Sequence, residues 1–378
     1  MQRVLPLYSK QFLTWLSALL ALYVSGFACA TTEPLPPGNE KPVPHIALLL
    51  PLKSAIFKHA AEAVQQGFQA AADLEMQLPG RLPVRVYSCF DENKDIVALY
   101  RKAVADGARA VVGPLTRSGV STLVAEQNIP VPTLALNVVE DKPASQQLYF
   151  FGMATEAEAR QIAQLARQQG LHQAFVITTR AQLAKRLQFA FEGEWHGSGG
   201  ALLPEIEFNG DPAVFADITD IPDTAVFLAA DAEKARLIRP YLPNKLPIYA
   251  TSQIFVGNDD TLTNYDLNGI RFVDMPWLLQ ADHPAVMVYP RPIQHLSADH
   301  ERLYALGIDA FRLIQLLLAD KVADTLPLDG VSGHIKLSGR IFQRAAVSAV
   351  FVQGHAQSLN AQTAPAQQAL PDHTIGKP

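Results

Sequence analysis

Residues 110–120, AVVGPLTRSGV, and residues 131–137, VPTLALN, each run from an apolar strand into polar residues. The first strand ends at Gly-Pro and small hydroxyl residues open the next helix, whereas the second strand ends on an amide. Backbone N–H groups at a helix N-terminus lack intrahelical partners and carry partial positive charge, so such a loop can hold a carboxylate. Open α/β sheets bind ligands at the carboxyl ends of their strands. The two junctions therefore predict a binding cleft rather than a catalytic centre.

On both sides of these junctions, apolar strands alternate with helical patterns from residue 45 onward. Residues 45–50, HIALLL, form a continuous apolar run that is typical of a parallel strand covered on both faces. Residues 56–75 place Val64 and Phe68 on one face of a helix. The β-α-β-α-β-α-β order up to residue 136 predicts a doubly wound α/β sheet with right-handed crossovers.

The same order restarts after residue 152. A helix is expected at 155–169, where Thr155 and Glu158 have the spacing of a capping box. Further strands and helices alternate from residue 174 to residue 274. We therefore predict two Rossmann-like α/β lobes with parallel sheets and a cleft between them, joined by three crossings that form a hinge.

The chain is expected to divide into five parts. The helix at 304–318 should return to the first lobe, and a closing hairpin of 331–337 with 345–352 should belong to the second. The expected parts are a signal peptide (1–30), a proline-rich linker (31–44), lobe 1 (45–152 plus 278–326), lobe 2 (153–277 plus 327–354) and a disordered tail (355–378).

The N-terminus has the pattern of an export signal. Arg3 and Lys10 precede an apolar run over 12–27, which the small residues of Ala-Cys-Ala at 28–30 follow. Ordinary cleavage after this tripeptide would make Thr31 the mature start. The alternative is lipidation of Cys29, which would anchor the protein by acyl chains. We expect a periplasmic protein that associates with the outer membrane only if this cysteine is lipidated.

Composition argues for a folded protein and against several classes of function. The chain has 378 residues, of which 49% are hydrophobic and 18% charged, and its formal net charge is −5. Nucleic-acid binders concentrate Lys and Arg on one face, and this chain does not. Its histidines lack metal-ligand spacing such as HExxH, and the sequence contains neither a Gly-x-Ser-x-Gly elbow nor a phosphate loop. We predict no enzyme, no metal and no cofactor.

Five residues at strand-to-helix junctions are candidates for binding a small amino-acid-like ligand in the cleft. The alternative for each is helix capping or turn formation. The candidates are Ser54, Thr116, Ser118, Asn137 and Ser252.

Other residues have two interpretations as well. Arg117 can pair with an anionic ligand or lie on the surface, and Asp231 and Asp274 can receive an ammonium group or serve as caps and hinge acceptors. Trp277 can stack on a ligand or pack in the core. Cys89 is read as a small buried residue rather than a reactive thiol.

The acidic run over 91–95, DENKD, is interpreted as a polar loop and helix start.

With these motifs the chain resembles the type I periplasmic-binding-protein fold and, more narrowly, the LppC/LpoA family of lipoprotein activators of penicillin-binding proteins. The resemblance covers residues 45–354. Its motifs are IALLLPL (46–52), VGPL (112–115), VPTLALN (131–137), IYATSQ (248–253), DMPW (274–277) and LYALGIDA (303–310).

The resemblance implies a non-enzymatic cell-envelope protein that binds and stimulates a bifunctional peptidoglycan synthase. The best-known members carry a helical-repeat domain before this region, where residues 31–44 stand here. The alternative is a solute receptor for an amino acid or small peptide that serves a transporter.

Overall fold

The computed structural model describes residues 42–75, 80–139, 145–259 and 261–359. The predicted signal peptide, Cys29, most of the linker and residues 360–378 lie outside the described residues. Among the described helices, none combines the length and the hydropathy needed to cross a bilayer.

In the part of the chain that the structure describes, two eight-stranded sheets form the centres of two lobes. The first sheet has the order β12-β13-β14-β5-β4-β3-β1-β2, and the second has the order β16-β15-β11-β10-β9-β6-β7, with β8 also paired to β6. The strands are β1 (His45–Leu50), β2 (Val84–Ser88), β3 (Ala108–Val112), β4 (Thr133–Ala135), β5 (Leu148–Phe151), β6 (Gln173–Thr178), β7 (Ala201–Leu202), β8 (Ile206–Glu207), β9 (Thr224–Leu228), β10 (Ile248–Ala250), β11 (Arg271–Asp274), β12 (Leu328–Asp329), β13 (His334–Ser338), β14 (Ile341–Ala345), β15 (Val347–Val352) and β16 (His355–Ser358).

The strands between the helices pair in parallel, and the closing strands supply the antiparallel pairs. The predicted fold class, two α/β lobes with parallel sheets, is confirmed. The helices are α1 (Lys58–Glu75), α2 (Glu92–Ala105), α3 (Arg117–Val124), α4 (Thr155–Gln168), α5 (Gln182–Gly197), α6 (Ala232–Ile238), α7 (Thr261–Tyr265), α8 (Pro276–Leu279), α9 (Pro284–Met287), α10 (Ala298–Leu318) and α11 (Val322–Thr325).

Strand β1 shows why the sheet of the first lobe is covered on both faces. All six of its residues are buried. Ile46 and Leu48 belong to the core that α1 and α10 cover, whereas Ala47 and Leu49 belong to the core on the opposite face with α2 and α3. Alternate side chains of a strand point to opposite faces, so a strand between two helical layers is apolar throughout.

Helix α10 returns to the first lobe and packs closely on α1, as predicted for residues 304–318. A Cβ on Gly67 would lie 1.9 Å from the carbonyl oxygen of Tyr304, and one on Gly307 would lie 2.2 Å from that of Val64. The two backbones therefore approach so closely that only glycine fits at these positions. The helix begins at Ala298, earlier than predicted, because Ser297 caps it.

The closing strands do not form the predicted hairpin. Residues 334–338 pair with 341–345 in the first sheet, and residues 347–352 pair with 355–358 in the second. The assignment of 327–354 to lobe 2 is thus wrong for strands β12, β13 and β14, and the chain crosses between lobes at Ala346. The second hairpin turns through Gln353 and Gly354, both at positive φ. Its return strand, β16, begins at residue 355, so the prediction of a disordered tail that starts at this residue is wrong.

Candidate ligand-binding cleft

A cleft of about 890 Å³ lies between the lobes. The first lobe contributes residues 115–118 and 136–139, and the second contributes residues 153–157, Arg160, Arg186, Phe189 and Ala190. Thr116, Ser118 and Asn137 line this cleft. Ser54 and Ser252 are not among its described lining residues, so the structure brings together three of the five candidates.

The junction between β3 and α3 is held together by an internal carboxylate. Glu92, at the start of α2, is only 2% exposed. Its Oε1 accepts a hydrogen bond from the backbone N–H of Leu115 at 2.9 Å, and its Oε2 accepts one from that of Thr116 at 2.6 Å. Burial raises the pKa of Glu92 above its ordinary value, although these hydrogen bonds oppose the shift. The N–H groups of Leu115 and Thr116, which directly precede α3, are therefore occupied.

The hydroxyl groups at this junction cap the helix. Thr116 Oγ1 accepts a hydrogen bond from the backbone N–H of Gly119 at 3.2 Å, the geometry of an N-cap. Ser118 is exposed, and its Oγ lies 3.4 Å from that of Thr116. Both residues face the cleft, and the hydroxyl of Thr116 has a structural role as the cap of α3.

Asn137 uses both ends of its amide inside the first lobe. Its Nδ2 donates to the carbonyl oxygen of Leu115 at 3.1 Å, and its Oδ1 accepts from the backbone N–H of Val138 at 3.0 Å. The side chain thereby ties the end of β4 to the β3–α3 loop. These two hydrogen bonds engage both ends of the amide in the absence of a ligand.

The two remaining candidates have structural contacts elsewhere. Ser54 Oγ accepts from the backbone N–H groups of Ile56 and Phe57, at 3.4 and 3.3 Å, in the turn before α1. Ser252 is fully buried; its N–H donates to Glu158 Oε2 at 3.1 Å, and its carbonyl accepts from Arg302 at 3.0 Å.

A buried ion pair joins the end of β11 to α10. Arg302 donates to both carboxylate oxygens of Asp274, at 3.0 and 2.6 Å, and also to the carbonyl of Phe255 at 2.7 Å. Both charged side chains are almost completely buried. Asp274 is thus a hinge acceptor and is not available to a ligand ammonium group.

A second buried ion pair corrects the predicted capping box. Ala154 precedes α4 and makes no side-chain cap hydrogen bond. Glu158 Oε1 instead accepts from Arg344 on β14 at 2.7 Å. Burial raises the pKa of Glu158, and the positive charge of Arg344 opposes that shift. The pair links a helix of lobe 2 to a strand of the lobe 1 sheet.

Asp231, Trp277 and Cys89 also have structural roles. Asp231 caps α6 by accepting from the backbone N–H of Lys234 at 2.8 Å. Trp277 is fully buried in the core of lobe 1. Cys89 is buried, and burial raises the pKa of its thiol to about 12. Within the described ranges, no group of three or more His, Cys, Asp or Glu residues could hold a metal ion.

Sequence reasoning missed Glu92, Glu158 and Arg302, which organise the junction and the hinge. The acidic run over 91–95 is the sequence signal for Glu92, because one of its carboxylates is buried. Arg302 precedes the helix predicted at 304–318, and nothing local distinguishes it from a surface arginine.

Sequence comparisons match this chain to one family model and to proteins named penicillin-binding protein activator LpoA. The model of the family described as "LppC putative lipoprotein" matches residues 37–222 and 217–344. The penicillin-binding protein activator LpoA of Haemophilus influenzae is 27% identical over 303 residues, which cover 77% of this chain and 51% of that protein. LpoA of Photobacterium profundum is 26% identical over 349 residues, with 81% and 56% covered. The chain spans about half the length of these curated relatives.

Solved structures share the fold. One described as "a putative branched-chain amino acid ABC transporter" from Chromobacterium violaceum is 36% identical, with a TM-score of 0.70 and coverage of 82% of this chain and 100% of that one. The C-domain of LpoA from Haemophilus influenzae, described as a regulator of PBP1A, is 24% identical, with a TM-score of 0.67 and coverage of 83% and 99%. The predicted type I periplasmic-binding-protein architecture is confirmed.

Proposed function

Because this chain belongs to the LppC family, we propose that it is a non-enzymatic protein of the cell envelope that binds and activates a peptidoglycan synthase of the penicillin-binding-protein class. The observation that carries the proposal is the family match, which extends over both lobes. Curated relatives are named penicillin-binding protein activators, and the structural match covers nearly all of a C-domain described as a regulator of PBP1A.

The geometry of the cleft supports a regulator over an amino-acid receptor. Glu92 occupies the backbone N–H groups of Leu115 and Thr116, and Asn137 is engaged within its own lobe. In a receptor, N–H groups of this kind would bind the carboxylate of a free amino acid. Here their hydrogen bonds stabilise the first lobe itself.

The direct test is to add the purified protein to the bifunctional synthase of the same organism and to measure glycan polymerisation and peptide cross-linking. We expect a several-fold increase in at least one rate, and co-purification of the two proteins. A type I-fold amino-acid receptor of similar size serves as the control. An unchanged rate without any co-purification would overturn the proposal.

The second candidate function is reception of an amino acid or small peptide for a transporter. It is favoured by the 36% identity to the structure described as a branched-chain amino acid ABC transporter. Calorimetry with leucine, isoleucine and valine separates the two functions. We expect no heat of binding, whereas micromolar affinity for any of them would favour the receptor.

We propose a periplasmic location, with outer-membrane anchoring conditional on lipidation of Cys29. The mass of the mature protein distinguishes the alternatives, since cleavage before Thr31 removes the cysteine and acylation retains it with bound lipid. In the second case Cys29→Ala would release the protein from the membrane fraction.

A further inference from the structure

The chain crosses between the two lobes at three short connections. The first connection is residues 152–154, between β5 and α4. The second lies between Asp274, the last residue of β11, and Met275, which is buried in the core of lobe 1, and the third is Ala346. Two lobes rotate against each other only if φ and ψ change at such connections. The contacts of these residues therefore determine how freely the lobes move.

Arg302 is bound across the second connection. It belongs to α10 of lobe 1, and its side chain is only 2% exposed. Besides Asp299 on its own helix, it donates to three residues of lobe 2. These are Asp274, at 3.0 and 2.6 Å, and the carbonyl oxygens of Ser252 at 3.0 Å and Phe255 at 2.7 Å. Because the donors of a planar guanidinium point in fixed directions, these acceptors fix lobe 2 relative to α10.

Arg344 connects the third crossing with the first. It lies near the end of β14 in the sheet of lobe 1, two residues before Ala346. Its Nη2 donates to Glu158 of α4 at 2.7 Å and to the carbonyl oxygen of Met153, in the first connection, at 2.6 Å. Both charged side chains are 4% exposed. One arginine of lobe 1 thus binds the first connection and a helix of lobe 2.

The backbone of the connections is also fixed directly. Gln161 of α4 donates from Nε2 to the carbonyl oxygen of Ala346 at 2.7 Å, and its Oε1 accepts from the N–H of the same residue at 2.9 Å. Ala154 in the first connection has a φ of +27°. An alanine keeps such a conformation only where the surrounding structure imposes it.

We propose that these contacts lock the two lobes in one arrangement, so that the protein is a rigid two-lobed body and its cleft does not open and close. Rotation of the lobes would misalign the hydrogen bonds of Arg302 and Arg344, which weaken steeply as their angles become less favourable. A buried charge that loses its partner is strongly destabilising. A ligand can close such a cleft only if it binds the closed arrangement more tightly by at least the free energy of these contacts. The inference goes beyond the proposed function and does not depend on it.

The test measures the distance between the lobes by double electron–electron resonance. Spin labels are attached to Ser121→Cys on α3 and Gln182→Cys on α5, both exposed positions, in the full chain carrying Cys29→Ala. The other native cysteine, Cys89, is buried. We expect one narrow distance distribution, with less than about 10% of a second population, and the same distribution when leucine is added in excess. A larger second population, or a shift with leucine, would overturn the lock.

Paired substitutions test whether the buried arginines form the lock. Arg302→Met/Asp274→Leu removes both charges without leaving an unpaired carboxylate, and it should raise the second population above about 10%. Glu158→Leu/Arg344→Met should act in the same way. Asp299→Asn is the control, because this partner of Arg302 is 79% exposed, and it should leave the distribution unchanged.

Thermal unfolding identifies the double variants that are folded. If the folded ones keep the narrow distribution of the parent protein, the lobes are rigid for another reason and the proposal is overturned. Should neither double variant fold, the parent distribution still decides whether the lobes have one arrangement. The synthase assay is separate: a single arrangement without stimulation would contradict the proposed function and leave the lock intact.

Discussion

The carboxylate of Glu92 lies 2.6 Å from the backbone nitrogen of Thr116, the residue that caps α3. The second oxygen of the same carboxylate accepts from Leu115. A side chain from α2 thus places a carboxylate beside the start of α3, with the charge that a helix N-terminus favours. Two backbone N–H groups of the loop that resembles a ligand cradle are bound by the protein itself.

We expect Glu92→Gln to destabilise the protein by about 1–3 kcal/mol. An amide has only one acceptor oxygen, so its Nε2 would face one of the two N–H donors and leave a buried donor unpaired. Urea unfolding measures the loss. Glu233→Gln is the control, because this side chain is 79% exposed, and it should change stability by less than about 0.5 kcal/mol. Equal stability of the two variants would contradict the role assigned to Glu92.

The hinge pair gives a second prediction. Arg302→Met removes the partner of Asp274 and leaves an uncompensated buried charge, so we expect a loss of about 3–5 kcal/mol. Adding Asp274→Leu should recover a large part of it, because replacing both charges with apolar groups removes the unpaired carboxylate. Thermal or urea unfolding of the two single variants and the double variant gives the coupling free energy between the two side chains.

Asp299 supplies the matched control for this cycle. It also pairs with Arg302, at 2.6 Å, but its side chain is 79% exposed. Exposed pairs contribute little, so Asp299→Asn should cost less than about 1 kcal/mol. A cost as large as that of Arg302→Met would show that the exposed pair, rather than the buried one, stabilises the hinge.

The fold follows from local patterns, whereas the contacts that define the site do not. The apolar run of β1 and the capping position of Thr116 were both readable, because each depends on neighbours in the sequence. Glu158 illustrates the limit. Its spacing from Thr155 fits a local cap, yet it binds Arg344, 186 residues away. The spacing of residues in the sequence does not show that a distant side chain competes with the local cap for this carboxylate.

The closing strands differ from the prediction for a similar reason. Both hairpins in this region have apolar, β-branched residues, so hydrophobicity alone does not decide which sheet receives them. Their two-residue turns, at residues 339–340 and 353–354, decide which strands pair with each other, because register follows from the position of the turn. The sheet that each hairpin joins follows from the pairing of β14 with β5 and of β15 with β11. The crossing at Ala346 lies between these hairpins and carries no special composition.

Cys89 should be unreactive in the folded protein. With a thiol pKa of about 12, about one molecule in ten thousand carries the thiolate at pH 8, and the thiolate is the nucleophile. Iodoacetamide should therefore label the tryptic peptide that contains Cys89 only slowly, and faster as the pH is raised toward the pKa. In urea the ordinary pKa returns and labelling should be rapid. Fast labelling of folded protein at pH 8 would contradict the buried assignment.

Glycine-to-alanine substitutions should have opposite effects at two helical positions. Gly67→Ala forces α1 away from the carbonyl of Tyr304, since the new Cβ would lie 1.9 Å from its oxygen. We expect a loss of about 3 kcal/mol, as in overpacked cores. Gly193→Ala in α5 meets nothing within 4 Å and should stabilise the protein by about 0.5–1 kcal/mol, because alanine favours the helix. Urea unfolding of both variants measures the difference. A gain at Gly67 would contradict the close packing of α1 on α10, and a loss at Gly193 would contradict the open space beside that residue.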